Sequence, residues 1–314
     1  MPSAAGEFTE HLLNQALLND ASDIHLEPFE KKFRVRWRTA GGFKNLELDD
    51  PRLWSATIRH IKLLGKLDIA QSQTPQDGKF IYNLNGATVE YRVSSLPTTY
   101  GESLVLRVLD RNRVPLDIAS LGLPPEAEAK LRAAITLPNG LIAIAGPTGS
   151  GKTTTLYACV RALSPSRTLK IISVEDPIEY ALPGVQQVAV SDALPTSEAL
   201  RAILRHDPDV IFVGEIRDAD TAKLAIQAAL TGHLVLTSIH APNSVGVVSR
   251  LIDFGISTTL IATALKFVLA QRLITESGHR HPIAESMLIS PPVADAIVAG
   301  TALTCFVHDQ LPQT

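Results

Sequence analysis

Cysteine is nearly missing: Cys159 and Cys305 are the only two in 314 residues. Two cysteines so far apart build neither a disulfide framework nor a zinc module. Long apolar runs are missing as well. No uncharged apolar stretch approaches the ~20 residues that span a bilayer. Glu7, Glu10 and His11 interrupt the first apolar residues, where a secretory leader would need an unbroken run. Charge of one sign is not in excess, with 29 Lys and Arg against 32 Asp and Glu. Neither half shows the basic stripe that a nucleic-acid backbone demands, so no direct nucleic-acid binding is expected. No internal repeat or low-complexity segment is present. These absences read as a soluble, cytosolic chain. Its length and 45% hydrophobic content suffice for a large core, divided between two domains.

What the chain has is one stretch in a specific order. Leu141 to Ala145 is apolar, Gly146-Pro-Thr-Gly-Ser-Gly151-Lys152-Thr153 follows, and Thr154 to Leu163 suits a helix. Strand, glycine loop and helix are the context in which Gly-x-x-x-x-Gly-Lys-Thr binds nucleotide phosphates. Gly146, Gly149 and Gly151 let the loop turn its N–H groups inward. A helix starting near Lys152 adds its positive dipole end. Lys152 is expected at the β- and γ-phosphates and the Thr153 hydroxyl at Mg²⁺. The expected phosphate-binding set is Gly146, Pro147, Thr148, Gly149, Ser150, Gly151, Lys152, Thr153 and Thr154. The expected ligands are ATP and Mg²⁺, with no zinc.

Three further motifs acquire meaning beside that loop. Ile171 to Val174 runs into Glu175-Asp176-Pro177, an acidic turn at the strand end where open α/β sheets bind ligands. Glu175 and Asp176 are expected to hold Mg²⁺ or polarise water; without the loop they would read as a solvated turn. Asp209 to Val213 ends in Gly214-Glu215, a Walker B-like strand whose usual metal-ligand Asp is replaced by Gly214. Glu215 is left to orient or deprotonate water, the alternative being a structural pair with Arg217 or Arg205. Leu234 to Ile239 is bracketed by His233 and His240; His240 or Thr237 is placed to sense the γ-phosphate. Arginines also gather, with Arg92 and Arg107 early in the chain and Arg201, Arg205 and Arg217 near the Walker B-like strand. A P-loop enzyme that couples subunits needs a guanidinium at the γ-phosphate.

Periodicity sets the frame. Phe8 to Asn19 and Trp54 to Leu64 have helical spacing, while Ile24–Glu27, Phe33–Arg38, Phe43–Leu46, Gly78–Leu84, Thr88–Ser95 and Leu104–Leu109 alternate as half-buried strands. Gly41-Gly42 and Asn85-Gly86 are turn signals. This α+β unit covers residues 1–110. A proline-bearing linker, 111–125, precedes an α/β domain, 126–314, that opens with a helix at Glu126–Ile135 and has strands at Leu141–Ala145, Leu169–Val174, Asp209–Val213 and Leu234–Ile239. The last 60 residues are expected to be mostly helical.

Together these motifs resemble the secretion-superfamily ATPases that power type II secretion and type IV pilus assembly, the GspE/PilB-like family. Ala21-Ser-Asp-Ile-His-Leu-Glu-Pro is similar to the opening of that family's PAS-like domain, and Gln76-Asp-Gly-Lys and Tyr91 to Arg107 to its later strands. Glu175-Asp-Pro-Ile-Glu179 resembles its Asp box, Leu200 to Asp218 its Walker B region, and Thr231-Gly-His233 to His240 its His box. The resemblance runs from about Ala21 to about Ile274. It implies a RecA-like P-loop domain behind a PAS-like one, in a homo-hexameric ATPase docked on an inner-membrane platform protein (GspF/PilC-like) from the cytoplasmic side. In that reading Glu215 is the catalytic carboxylate, Glu175 supports metal and water, and Arg92 and Arg107 reach toward nucleotide. Arg201, Arg205 and Arg217 match the family's Walker B arginines. The family's extra N-terminal domain and its tetracysteine module have no counterpart; Thr275-Glu-Ser-Gly-His279-Arg-His281 stands where the latter would follow. A compact homologue and a truncated, uncoupled one both remain open, as does a conjugation-type transport ATPase or a non-hydrolysing scaffold. The Asp-box Tyr180 and the Thr-Thr-Thr-Leu-Tyr helix start resemble the assembly branch more than the retraction motors.

Overall fold

Strict alternation early in the chain and unbroken apolar runs later produce two different sheets. The computed structural model describes all residues except 1–2, 31, 40, 49, 85–86, 111–116, 165–167, 277–278, 308–310 and 312–314. The turn expected at Asn85-Gly86 and the first part of the expected linker lie outside the described residues. The chain divides into two compact units, Met1–Val114 with Ser277–His279 and Pro115–Glu276 with Arg280–Thr314.

In the first unit, helix α1 (Ala4–Leu18) precedes strands β1 (Asp23–Pro28), β2 (Phe33–Thr39) and β3 (Gly42–Leu48), then helix α2 (Pro51–Leu64) and strands β4 (Gln76–Leu84), β5 (Ala87–Thr98) and β6 (Gly101–Asp110). Ser3 and Asp50 cap the two helices with side-chain oxygens. The sheet order is β3-β2-β1-β6-β5-β4, with neighbouring strands antiparallel. Ile24, Leu26, Val35, Trp37, Leu104 and Leu106 point to one face and share a core with Leu12, Leu13, Ile58 and Ile61 of the helices. The alternate residues, among them His25, Glu27, Arg34, Arg36 and Arg107, form the other face.

The second unit includes a short 3₁₀ turn at Ile118–Leu121. It runs α3 (Pro125–Ile135), β7 (Gly140–Ala145), α4 (Lys152–Leu163), β8 (Ile171–Glu175), β9 (Val185–Ala189), α5 (Thr196–Ile203), β10 (Val210–Val213), α6 (Ala219–Leu230), β11 (Leu234–Ile239), α7 (Ser244–Asp253), α8 (Thr258–Ala264), β12 (Leu265–Glu276), β13 (His279–Leu288) and α9 (Pro291–Ala299). The sheet order is β13-β12-β7-β11-β10-β8-β9, parallel from β12 to β9. Alternate residues of β7 enter opposite cores: Leu141, Ala143 and Ala145 pack with α5 to α9, whereas Ile142 and Ile144 pack with α3 and α4. Among the described residues no helix is long and apolar enough to cross a membrane.

Three strands differ from the sequence reading. The last 60 residues are not mostly helical, since β12 and β13 run through their middle. Leu265-Lys-Phe-Val-Leu-Ala is an apolar run that periodicity cannot assign between buried helix and buried strand. Its place beside β7, with Phe267 through Ala270 paired to Ile142 through Ala145, decides it. Strand β9 has no clear sequence signal because Gln186 and Gln187 interrupt its apolar residues; pairing to β8 holds it.

Candidate active site

Parallel strands end on the same edge, so β7, β8, β10, β11 and β12 bring their following loops together. After β7 comes the glycine loop. Gly146 and Gly151 have φ of +147° and +87°, values that L side chains rarely adopt. At Gly146 a Cβ would also lie 2.3 Å from the Gln271 carbonyl oxygen. Helix α4 then starts at Lys152 with no side-chain cap, leaving its first N–H groups and dipole end for an anion. The Lys152 ammonium donates to the carbonyls of Gly146 and Pro147, both at 2.9 Å. Burial pushes its pKa down, against the opposing pull of the nearby Glu215 carboxylate.

Glu215 is held from both sides. Gly214 N–H donates to the Val174 carbonyl at 2.9 Å and Ile216 N–H to the Ser238 carbonyl at 3.0 Å, while Ser238 Oγ donates to the Gly214 carbonyl at 2.7 Å. The turn after β10 is thereby fastened to β8 and β11. Arg217 bridges the two acidic motifs, donating to Glu215 at 2.7 Å and to Asp176 at 3.1 Å. Both carboxylates raise its pKa, Glu215 the more. An ion pair whose guanidinium is 62% exposed contributes little to stability; its consequence is positional, converging Glu215 and Asp176 on one point.

Glu175 corrects the sequence reading. It is 3% exposed, and both carboxylate oxygens are already engaged. Oε2 accepts from Tyr157 Oη; Oε1 accepts from Ser173 Oγ at 2.5 Å and Gln187 Nε2 at 2.9 Å. A metal would have to strip those donors from Glu175, whereas Asp176 is 54% exposed. Glu175 instead anchors the acidic turn to the phosphate-loop helix. Tyr157 Oη also accepts from the Glu179 and Tyr180 N–H groups at 3.1 and 3.3 Å. Burial first, then Glu175, raises the Tyr157 pKa. Tyr157→Phe is expected to lower stability by about 1–3 kcal/mol in denaturant unfolding, because it leaves a buried carboxylate short of a donor.

A model of the family described as type II/IV secretion system protein matches residues 4–293. The chain belongs to that family. This match is wider than the Ala21–Ile274 span read from the motifs. Among curated relatives of this secretion-family chain, the type II secretion system protein HxcR of Pseudomonas aeruginosa is 46% identical over 265 residues, covering 84% of this chain and 56% of that protein. The type II secretion system ATPase E of Vibrio cholerae is 45% identical, covering 84% and 52%. The chain thus spans about half the length of the curated relatives it matches. Among solved structures, the pilus retraction motor PilT with bound ADP is 27% identical, with a TM-score of 0.72, covering 93% of this chain and 86% of that one.

Not every residue singled out in the secretion-family sequence reaches the loop. His240 follows β11, the strand lying between β7 and β10, and so stands on the same sheet edge as the loop. Thr237 is buried within β11, its hydroxyl turned to the Ser238 carbonyl at 3.3 Å. His233 precedes the same strand, on the opposite edge of the sheet, its carbonyl accepting from Gly140 N–H at 3.1 Å and its Nδ1 lying 3.0 Å from the Ala228 carbonyl. Six residues of strand separate the two histidines by about 20 Å. His233 is therefore no contact for a nucleotide on its own chain's loop. Arg201, in the last turn of α5, and Arg205, which donates to the Arg201 carbonyl at 3.0 Å, sit on the run-in to β10 at that far edge as well. Neither is on the edge where the glycine loop follows its strand.

Arg92 and Arg107 are in the first unit, directly opposite each other on β5 and β6. Strand register extends the row: Arg38, Asp23, Arg107, Arg92 and Lys79 are successive cross-strand partners on the polar face. Asp23 binds Arg107 at 3.1 Å, leaving that guanidinium 66% exposed. A short basic row thus exists where the sequence displayed none, because its members come from five separate strands. Carboxylates interleave it, with Glu90 3.9 Å from Arg92 and Glu27 paired to Arg34 and Arg36 on the same face.

Proposed function

We propose that this chain hydrolyses ATP and couples the cycle to building a type II secretion pseudopilus or a related pilus or competence filament. What supports the reading is that the loop carrying Lys152 and the turn carrying Glu215 follow β7 and β10 at one edge of the sheet, near enough for the Glu215 carboxylate to act on the Lys152 ammonium, while His240 follows β11, the strand between them. Lys152 and the loop N–H groups hold the β- and γ-phosphates. Glu215 orients the attacking water and takes its proton. His240 senses the γ-phosphate, and Arg217 keeps Glu215 and Asp176 aligned until nucleotide arrives.

Mg²⁺ fits this donor set. Mg²⁺ keeps several waters and is held through one or two protein oxygens plus phosphates, so one hydroxyl and one exposed carboxylate suit it. The Thr153 hydroxyl and the Asp176 carboxylate would hold it, and it supplies neutralisation of phosphate charge.

We further propose a homo-hexamer on the cytoplasmic side of the inner membrane, attached to a platform protein. Arg92 and Arg107 deliver guanidinium charge to nucleotide within that ring, and their row serves phosphate rather than nucleic acid. The type II secretion names of relatives near 45% identity favour assembly. The likeness to PilT, at 27% identity, keeps retraction as the second reading.

The test is ATPase rate per subunit against protein concentration, with solution mass in parallel. Activity should rise as rings form. Arg92→Ala/Arg107→Ala should lose about tenfold or more and its concentration dependence, the loss expected of charge-assisted bonds to phosphate. A monomer that hydrolyses equally well, with the double variant unchanged, would sink the ring mechanism.

A further inference from the structure

Gln271 on β12 lies 116 residues beyond Thr155 and 121 beyond Ser150, yet it ties both together. Its Nε2 donates to the Ser150 carbonyl at 2.7 Å, and its Oε1 accepts from Thr155 Oγ1 at 2.9 Å. The side chain is buried, 2% exposed. Its main-chain oxygen crowds Gly146, and its Nε2 would lie 3.0 Å from a Cβ at Gly151. One residue therefore touches the phosphate loop at its start, at its end and on the helix that follows.

The hairpin carrying Gln271 is fastened to the His240 loop as well. Arg272 Nη2 donates to the Pro242 carbonyl at 3.3 Å. On β13 the buried Glu285 accepts from Ser244 N–H and Oγ, both at 2.6 Å, and from Leu311 N–H at 2.9 Å.

We propose that Gln271 is a positioning residue for nucleotide, holding the phosphate loop in its binding shape; this rests on the nucleotide reading above. In a trans peptide the carbonyl and the following N–H point to opposite sides. Fixing the Ser150 carbonyl toward Gln271 turns the Gly151 N–H the other way, to the side where phosphate binds. A released carbonyl can swing inward and set a negative dipole against phosphate oxygens. Only a side chain offering donor and acceptor together satisfies both Ser150 and Thr155. Glutamine does so without charge.

The experiment is calorimetric MgADP binding to the full chain, with thermal midpoints and steady-state ATPase, for wild type, Gln271→Ala and Gln271→Glu. Gln271→Ala is expected to weaken MgADP by about tenfold or more, raising KM with less effect on kcat. Gln271→Glu keeps the acceptor but loses the donor while ionised, so it should bind weakly at pH 8. A protonated carboxyl supplies both groups again. Burial raises a carboxyl's pKa, so the Gln271→Glu affinity, taken as a ratio to wild type, should recover as pH falls; the Gln271→Ala ratio should not. Should Gln271→Ala fail to fold, the pH series on Gln271→Glu decides alone. Wild-type-like binding by the variants, or a Gln271→Glu ratio flat with pH, would overturn the proposal. A wild-type chain that binds no MgADP would overturn the nucleotide reading first, and this one with it.

Discussion

Glu215→Gln is expected to bind MgATP within about twofold of wild type and to hydrolyse it about 10³–10⁴ times more slowly, the upper range for loss of a general base. The substitution is nearly isosteric. The Gly214 and Ile216 backbone bonds that fix the turn do not involve the side chain, and the amide oxygen can still accept from Arg217. What disappears is the negative charge beside Lys152 and the proton acceptor. Two readings of Glu215 were open from the sequence, a catalytic carboxylate or a structural partner of Arg217. The structure has the pair, at 2.7 Å, so contact alone does not separate them. Turnover does, because a structural partner tolerates glutamine and a base does not. Single-turnover hydrolysis and nucleotide binding, measured on one preparation, give the answer. Hydrolysis at the wild-type rate would leave Glu215 as an anchor for Arg217 and remove it from the chemistry.

The phosphate loop could be read from sequence because its chemistry is contiguous: glycines, lysine and threonine act within eight residues of one another. The strands that present Glu215 and Asp176 are legible for a related reason, since each apolar run leads within two residues to its carboxylate. What escaped the reading lies across the fold. His233 and His240 share one motif, but a strand places them at opposite sheet edges. Glu175 and Asp176 are adjacent, yet the last residue of β8 turns under the sheet to Tyr157 and Ser173 while the next faces outward. The basic row on the first unit exists only through register. Gln271 carries no local signal, being a glutamine in an apolar run more than a hundred residues from the loop it holds. The hairpin beyond it was misread as helix because a buried strand and a buried helix share composition.

Lys152→Ala is expected to reduce kcat/KM by about 10³-fold or more, and to abolish the thermal shift that MgADP gives the wild type. Stability without nucleotide should not fall. Burial lowers the Lys152 pKa below that of a free lysine, so its charged form is disfavoured by folding. That cost is fully present below the folded-state pKa and vanishes as pH rises above the ordinary lysine value. Alanine removes the cost, along with two hydrogen bonds to loop carbonyls that water can replace at this partly exposed site. The variant should therefore melt at or above the wild-type midpoint in nucleotide-free buffer and below it at saturating MgADP. Lys152→Arg separates charge from shape. The planar guanidinium keeps the charge but lacks the compact point geometry that fits between the Gly146 carbonyl and a phosphate, so it should recover little. A Lys152→Ala chain that retained the MgADP-induced shift would mean that the loop amides and the α4 dipole suffice for binding, and would move the requirement for Lys152 to the transition state alone.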